Sequence, residues 1–342
     1  MTASLRVVEP GLQSTLQDMG RHGYQRLGIP VSGALDWVSL RAANLLVGNP
    51  PSTAAIEISL VGPTLEVAAD SVRMALVGTS VGIEILLPER VRIPSLQSVV
   101  LQRGQRFRVS GFGDTAVAYL AVEGGFAIQP VLGSLSTHWR AQIGPLEGRK
   151  LAAGDVLALK QERAPARSEV RLRTLGQPRP QKFRVVLGPQ DDKFTPEQVR
   201  LLLESTYRVS RDADRWGMRL DGPVLAHAIS IVSDAIAPGS IQVPAGGQPL
   251  VLLADRATTG GYPKIATVIS ADLPALGRLT PGALVAFTAV CVATAEAARR
   301  TLEAQVLALG TQLVPVGGAA DLDAALLMSE NLISGVVDGD GN

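Results

Sequence analysis

The chain is interrupted too often to build long helices or long strands. Its 342 residues include 35 glycines and 22 prolines, which cut the apolar material into short pieces. Those pieces are rich in Val, Ile and Leu; examples are 65–69, 74–77, 82–87, 98–101, 107–110, 117–122 and 156–160. Short branched runs at close spacing, with Gly or Pro between them, are the pattern of an antiparallel sandwich or barrel. Helical stretches do not alternate regularly with them, which argues against a doubly wound sheet. The expected fold class is therefore mainly β, a β-rich α+β chain with a few short helices.

Four helices are expected. The first, 35–47, ends at Gly48-Asn49-Pro50, a glycine stop followed by a proline. The second opens at Thr195-Pro196-Glu197-Gln198. Thr195 caps, Pro196 suits the first helical position, and Gln198 completes a capping box. The third, 294–309, is rich in Ala, Glu, Leu and Arg and stops at Gly310. The fourth is expected over 321–333. Segment 161–181 carries three prolines, many charges and little apolar content, and reads as a linker. The expected division is an N-terminal β-barrel domain over 1–165, a second over 181–292, and a helical C-terminal extension over 293–342. The halves share a faint pattern. Gly124-Gly125-Phe126 and Gly154 before Val156 in one match Gly260-Gly261-Tyr262 and Gly282 before Leu284 in the other, which suggests a duplicated barrel.

Composition excludes several functions. Lys+Arg total 32 and Asp+Glu 31, so a net charge of +1 gives no electrostatic case for nucleic acid or anionic lipid. Cys291 is the sole cysteine; it allows no intrachain disulfide and, inside an apolar run, reads as core. His22, His138 and His227 are scattered, with no HExxH and no cysteine partners, so no metal site on His or Cys is expected. A GxxxxGK[ST] loop and a strand–GxGxxG–helix are both missing. The terminal run from Asp338 to Asn342 mimics the start of a calcium loop without its closing Glu, and reads as a frayed end. The first residues lack a basic start followed by an apolar run. The uncharged stretch 235–254 contains Pro238, Pro244 and Pro249, poor material for a membrane helix. The expected location is cytoplasmic.

Chemistry concentrates in 255–264. Between two short apolar runs lie a carboxylate (Asp255), a guanidinium (Arg256), two hydroxyls (Thr258, Thr259), a phenol (Tyr262) and an ammonium (Lys264). Gly260 and Gly261 leave backbone N–H groups open to a ligand. Only five lysines occur in the chain, and Lys264 offers a point charge to a carboxylate or phosphoryl oxygen. Just upstream, Gln242 and Gln248 sit among apolar residues, and an amide reads another amide through paired donor and acceptor. Arg215 and Arg219 flank Gly217 and suit an anionic group.

At these residues the sequence resembles a known family. The marks are Thr15-Leu16-Gln17-Asp18 with Gly20-Arg21 and Gly23-Tyr24; Pro30-Val31-Ser32-Gly33-Ala34-Leu35-Asp36; Asn44 with Val47-Gly48-Asn49-Pro50; and Glu57 to Gly62-Pro63. Leu132-Gly133-Ser134 with Ser136-Thr137 follow, then Asp214-Arg215-Trp216-Gly217-Met218-Arg219-Leu220. The last are Pro238-Gly239-Ser240-Ile241-Gln242-Val243-Pro244 and Thr258-Thr259-Gly260-Gly261-Tyr262-Pro263-Lys264. They resemble the carboxyltransferase-like family that includes the C-subunit of 5-oxoprolinase, KipA, allophanate hydrolase subunit 2 and the matching domain of urea carboxylase.

The resemblance implies two cyclophilin-like β-barrels and a partner, a KipI-like B-subunit, with an A-subunit completing an oxoprolinase. It implies ATP with Mg, bound together with partner subunits, and opening of 5-oxoproline to L-glutamate. On this basis Lys264, Asp255 and Thr259 are expected to be catalytic. Gln242, Gln248, Arg215, Arg219, Thr258, Gly260, Gly261 and Tyr262 are expected to bind substrate. The alternatives it implies are a carboxyltransferase component of a biotin-dependent urea carboxylase/allophanate hydrolase-type system, and a KipA-like regulator that binds a KipI-like protein. The chain has no Met-Lys pair, so biotin would come from another chain. Trp37, Trp216, Met218 and the stretch beyond Thr294 depart from the family pattern.

Overall fold

The computed structural model describes residues 3–176, 179–226 and 231–317. The first half forms two antiparallel sheets. One has six strands in the order Val156–Ala158, Ser4–Glu9, Thr64–Val67, Arg106–Val109, Ile83–Leu87, Val91–Ile93. The other has five: Gln13–Gln17, Ala55–Ser59, Val117–Val122, Ser71–Val77, Ser98–Gln102. Side-chain alternation along each strand decides which layer a residue enters. In Val117–Val122, Ala118, Leu120 and Val122 fill the core between the sheets, while Val117, Tyr119 and Ala121 face a helical layer outside. Ser71–Val77 splits the same way, with Val72, Met74 and Leu76 on one side and Ala75 and Val77 on the other.

That outer layer is built on α1, Trp37–Leu46. Asp36 caps it, Oδ1 accepting from Val38 N and Ser39 N at 3.1 Å. The second half closes into a seven-stranded barrel in the order Phe183–Leu187, Lys264–Val268, Ser240–Gln242, Leu250–Leu252, Gly217–Asp221, Thr206–Val209, Leu284–Ala289. The parallel pairing of Phe183–Leu187 with Leu284–Ala289 seals it. Two helices accompany the barrel: α2, Pro196–Glu204, capped by Thr195 although Gln198 Oε1 has no hydrogen-bond partner among the described residues and leaves the expected capping box open, and α3, Leu273–Gly277. The mainly β reading with few helices holds, and the closed barrel is the second half.

The last described helix, α4, Val292–Ala308, begins two residues before the expected start. It tightens into a 3₁₀ turn over Leu309–Gln312. Its Leu302 and Val306, with Leu309, pack in the layer of α1 rather than on the barrel core. The expected linker is pinned to the first half. Val170–Arg171 pairs with Val314–Pro315. Arg73 donates to the carbonyls of Pro165 and Arg167 at 3.1 and 3.0 Å and pairs with Glu123 and Glu169. Composition hides this attachment because most of it runs through backbone carbonyls and charges, with Leu172 the one buried apolar side chain among its described residues and Val170 and Leu175 packed against the same cluster. The expected helix 321–333, the terminal Asp338 to Asn342 run and His227 lie outside the described residues.

Cys291 is a correction. It is exposed, at the start of α4, with Sγ 3.2 Å from Thr294 Oγ1. The apolar run around it crosses from the barrel strand to the surface, so apolar neighbours in sequence do not bury it. The repeated glycine pattern is met only in part. Gly154 and Gly282 both adopt left-handed φ, 89° and 87°, just before a strand. Gly124 and Gly125 do so as well, at 76° and 74°, but Gly260 instead lies in the short strand Thr259–Gly260. Among the described residues no helix is long and apolar enough to cross a membrane.

Candidate functional site

Segment 255–264 has buried ends and a more exposed middle. At one end, Asp255 turns toward the first half. Its oxygens accept from Arg215 Nε at 2.8 Å and from Nη2 at 3.0 Å. Arg215 Nη2 also donates to Gly33 O at 2.7 Å, and Nη1 donates to Glu57. The other Glu57 oxygen accepts from the Tyr119 hydroxyl at 2.6 Å and from Leu35 N at 3.0 Å. Arg215, Asp255, Glu57 and Tyr119 are all buried. Burial works against the Arg215 charge, but Asp255 and Glu57 outweigh it and hold its pKa above the ordinary value. Burial first, then Glu57 and Asp36, pushes the Tyr119 phenol well above its ordinary value. This network ties the barrel to the first half.

At the other end, Lys264 is also buried. Its Nζ donates to Asp234 Oδ2 at 2.9 Å, which accepts from Gln190 Nε2 at 2.9 Å as well. Gln190 Oε1 accepts from Lys264 N at 3.1 Å. Hydrogen bonds from Lys264 and Gln190 hold the Asp234 carboxyl below its ordinary value. Between the two ends, Thr259–Gly260 pairs with Asp234–Ala235, and Gln242 Nε2 donates to Tyr262 O at 3.3 Å. A Cβ on Gly260 would lie 2.9 Å from Gln242 Nε2 and 2.9 Å from Ile236 Cδ1, so a larger residue would displace both side-chain ends. Lys264, Thr259, Gly260, Gly261, Tyr262 and Gln242 thus share one cluster with Gln190 and Asp234. Thr259 and Tyr262 are exposed and Thr258 is half-buried. Arg219 is exposed on its strand and Gln248 half-buried in the turn before Leu250, and neither joins the cleft described next.

That cleft, about 450 Å³, opens where the two halves meet. One wall is the segment from His22 to Trp37; the other comes from Ala237, Pro238, Leu253, Ala254, Arg256 and Leu273. The first wall is shaped by a close backbone crossing. Arg21 N donates to Val31 O at 2.8 Å and Ala34 N to Asp18 O at 2.9 Å. Gly33, at φ 83°, has no room for a side chain, since its Cβ would lie 2.9 Å from Gly20 N. Asp18 fixes the base of this wall, accepting from Gly20 N, Ser134 Oγ, Ser136 Oγ and Leu135 N at 2.5–2.8 Å. In the second wall, Arg256 Nε donates to Ile236 O at 3.0 Å and Nη1 to Leu253 O at 3.3 Å. Burial pulls its pKa down to about 10, opposed only in part by Asp255. Segment 234–238 joins the two places: Asp234 holds Lys264, Ile236 O holds Arg256, and Ala237 and Pro238 line the cleft.

In sequence, Arg256 is one polar group of a loop with no role of its own, and Ser32, His22 and Gln25 stand outside the expected site. The available signals were the Gly20-Arg21 and Pro30 to Asp36 marks, which fix the first wall.

Comparison with known proteins agrees with this architecture. Residues 27–289 match the family model described as carboxyltransferase domain, subdomain A and B. The C-subunit of 5-oxoprolinase from Haemophilus influenzae is 36% identical over 293 residues, 85% of this chain and 93% of that protein. Its counterpart from Escherichia coli is 35% identical over 305 residues, 86% and 94% respectively. The crystal structure of the K. lactis urea amidolyase superposes with a TM-score of 0.82 at 26% identity. That match covers 92% of this chain but only 21% of the solved chain. With most of its length inside the family model and relatives matched almost end to end, the chain belongs to the carboxyltransferase-domain family.

Proposed function

We propose that the chain is the C-subunit of an ATP-dependent 5-oxoprolinase, opening 5-oxoproline to L-glutamate with partner chains. The observation that carries this is the near-complete coverage of two relatives bearing that name, 93% and 94% of their lengths. Ring opening adds water across the lactam C–N bond and leaves a carboxylate and an amine, with ATP supplying the driving force. In this reading the cleft between the halves takes the lactam. Lys264, Thr259, Gln242 and the partly exposed Thr258–Tyr262 stretch form an edge that a KipI-like B-subunit completes, with an A-subunit beyond it. Asp255 and Arg215 hold that edge against the first half. Among the described residues no group of three or more His, Cys, Asp or Glu converges as a metal site. The ammonium of Lys264 is already paired with Asp234. The described residues thus do not by themselves fit ATP with Mg, the nucleotide is assigned to the assembled complex, and no step is derived through it.

The test is reconstitution. The purified chain, candidate A- and B-subunits, ATP and 5-oxoproline should yield glutamate, and omitting this chain should abolish it. Glutamate no higher than background from the full mixture would refute the reading. One observation favours a second reading: the cleft, at about 450 Å³ and largely apolar, exceeds what one small lactam fills. A ureido ring of biotin, delivered on another chain, would suit it in a urea carboxylase-type reaction. Biotin-dependent carboxylation of urea by the chain with a biotin-bearing partner would promote that reading.

A further inference from the structure

Two polar groups in the cleft are incompletely matched by the protein: among the described residues the Ser32 hydroxyl has no hydrogen-bond partner, and Arg256 has no hydrogen-bonded carboxylate. Arg256 is 3% exposed, and its two hydrogen bonds go to neutral backbone carbonyls. The neighbouring carboxylate, Asp255, has both oxygens engaged by Arg215. Among the described residues no carboxylate is hydrogen-bonded to Arg256. Ser32 is buried at φ 57°, a left-handed conformation that disfavours a side chain, and its Oγ has no hydrogen-bond partner among the described residues. Both residues line the same cleft, and no Asp or Glu among the described residues lines it with them.

A buried guanidinium bonded only to backbone carbonyls and an unpaired buried hydroxyl each destabilise the fold, the charge more. Groups kept at such a cost, together with a strained backbone, point to a ligand that completes them. Much of the remaining lining is apolar: Val31, Ala34, Leu35, Pro238 and Leu253 would exclude water around whatever binds, with His22 and Gln25 as further polar side chains of the first wall. The charge also fixes the class of ligand. One guanidinium, with a planar fork, matches one carboxylate. A phosphate dianion would bring a second negative charge into a largely apolar cleft in which Arg256 is the one guanidinium among the described lining residues.

We propose that Arg256 and Ser32 anchor the carboxylate of a small, ring-bearing monocarboxylic acid in the cleft between the two halves. Its choice of substrate rests on the lactam-opening reading: 5-oxoproline carries such a carboxylate on its ring, whereas urea has none. The anion site itself does not depend on that reading. Arg256 supplies the charge and the fork, Ser32 a hydroxyl donor, and the apolar wall receives the ring.

Calorimetric titration of the full chain with four probes tests this: 5-oxoproline, 2-pyrrolidinone (the same lactam without the carboxylate), cyclopentanecarboxylate (the carboxylate without the lactam) and inorganic phosphate. The expected result is binding of 5-oxoproline and cyclopentanecarboxylate, with 2-pyrrolidinone at least about tenfold weaker and phosphate unable to compete. Arg256→Gln should weaken 5-oxoproline by about tenfold or more and leave 2-pyrrolidinone unchanged, and Ser32→Ala should weaken it by about threefold. If Arg256→Gln does not fold, as judged by its melt, Arg256→Lys and Ser32→Ala carry the test, since Lys keeps the charge and loses the fork. Equal binding of 2-pyrrolidinone and 5-oxoproline, displacement by phosphate, no binding of any probe, or unchanged affinity in the variants would overturn the proposal. The expected binding without glutamate from the reconstituted complex would sink the oxoprolinase reading and leave the carboxylate site standing.

Discussion

Removing the Arg215 guanidinium should destabilise the whole molecule, because this group is the buried joint between its halves. Arg215→Met keeps apolar volume and deletes four hydrogen bonds: two to Asp255, one to Glu57 and one to Gly33 O. Two buried carboxylates then lose the cation hydrogen-bonded to both, while Arg256 and Arg21 still act on Asp255 through space. Breaking a buried ion pair from one side costs about 3–5 kcal/mol, mostly through the charge left behind. That corresponds to a fall in the urea midpoint of roughly 1–2 M if the slope is unchanged. The companion variant decides the mechanism. The triple change Arg215→Met, Glu57→Gln, Asp255→Asn removes every charge of the network together. Replacing a complete buried ionic group is often close to neutral, so the triple variant should recover at least about half of the loss. Urea unfolding of the full chain at pH 7, followed by tryptophan fluorescence and circular dichroism, measures both. A single variant within about 1 kcal/mol of the parent, or a triple variant less stable than the single, would refute the reasoning.

Lys264→Met should leave stability within about 1 kcal/mol, since its partner Asp234 is half-exposed. In the reconstituted complex the same change should lower glutamate formation by about a hundredfold if the ammonium serves the reaction; retained activity would confine Lys264 to structure. Burial raises the Asp36 carboxyl above its ordinary value, against Arg278 and the Ser39 and Val38 donors. A raised acid contributes its full stability below its unfolded value, 3.8, and loses it as the pH climbs through the folded value. Asp36→Asn keeps an N-cap without the charge, so its stability relative to the parent should rise from about pH 4 upward, and a flat difference would count against burial as the cause. Trp37 lines the cleft and is stacked by Arg299 at 4.2 Å and Arg41 at 5.5 Å. Arg299→Ala removes a contact of about 0.5–1 kcal/mol and should raise KM for the small acid a few-fold with kcat nearly constant. An unchanged KM would separate α4 from substrate handling.

How far the sequence could be read follows from the range of each interaction. Strand alternation, the Thr195 cap and the Gly48 stop are local, and each is visible within a few residues. The two-faced burial of Val117–Val122 is half visible: a continuous apolar run announces burial on both sides but not that α1 covers the outer one. Cys291 misled because apolar neighbours say nothing about where a strand leaves its barrel. The site is harder still. Arg215 and Glu57 lie 158 residues apart in sequence, and nothing near either announces the other.

Distance along the chain is also why Arg256 looks, in sequence, like one polar group among several. There it adjoins Asp255, and that adjacency suggests a neutralised pair. In the fold Asp255 is taken by Arg215, which is itself held by Glu57 from the first half. The docking of the two halves therefore turns the Asp255 hydrogen bonds to Arg215 and leaves Arg256 bonded to backbone carbonyls in a largely apolar wall. The interface network and the open cation are thus two consequences of one contact. This coupling extends the unfolding prediction to binding. Asp255→Asn, which weakens the hold on Arg215 but leaves Arg256 and Ser32 in place, removes the carboxylate that acts electrostatically on Arg256. Affinity for a small carboxylate should then hold or rise even as stability falls, because the bound anion becomes the nearest counter-charge. A parallel loss of both would mean that Asp255 positions the cleft rather than competing for its cation.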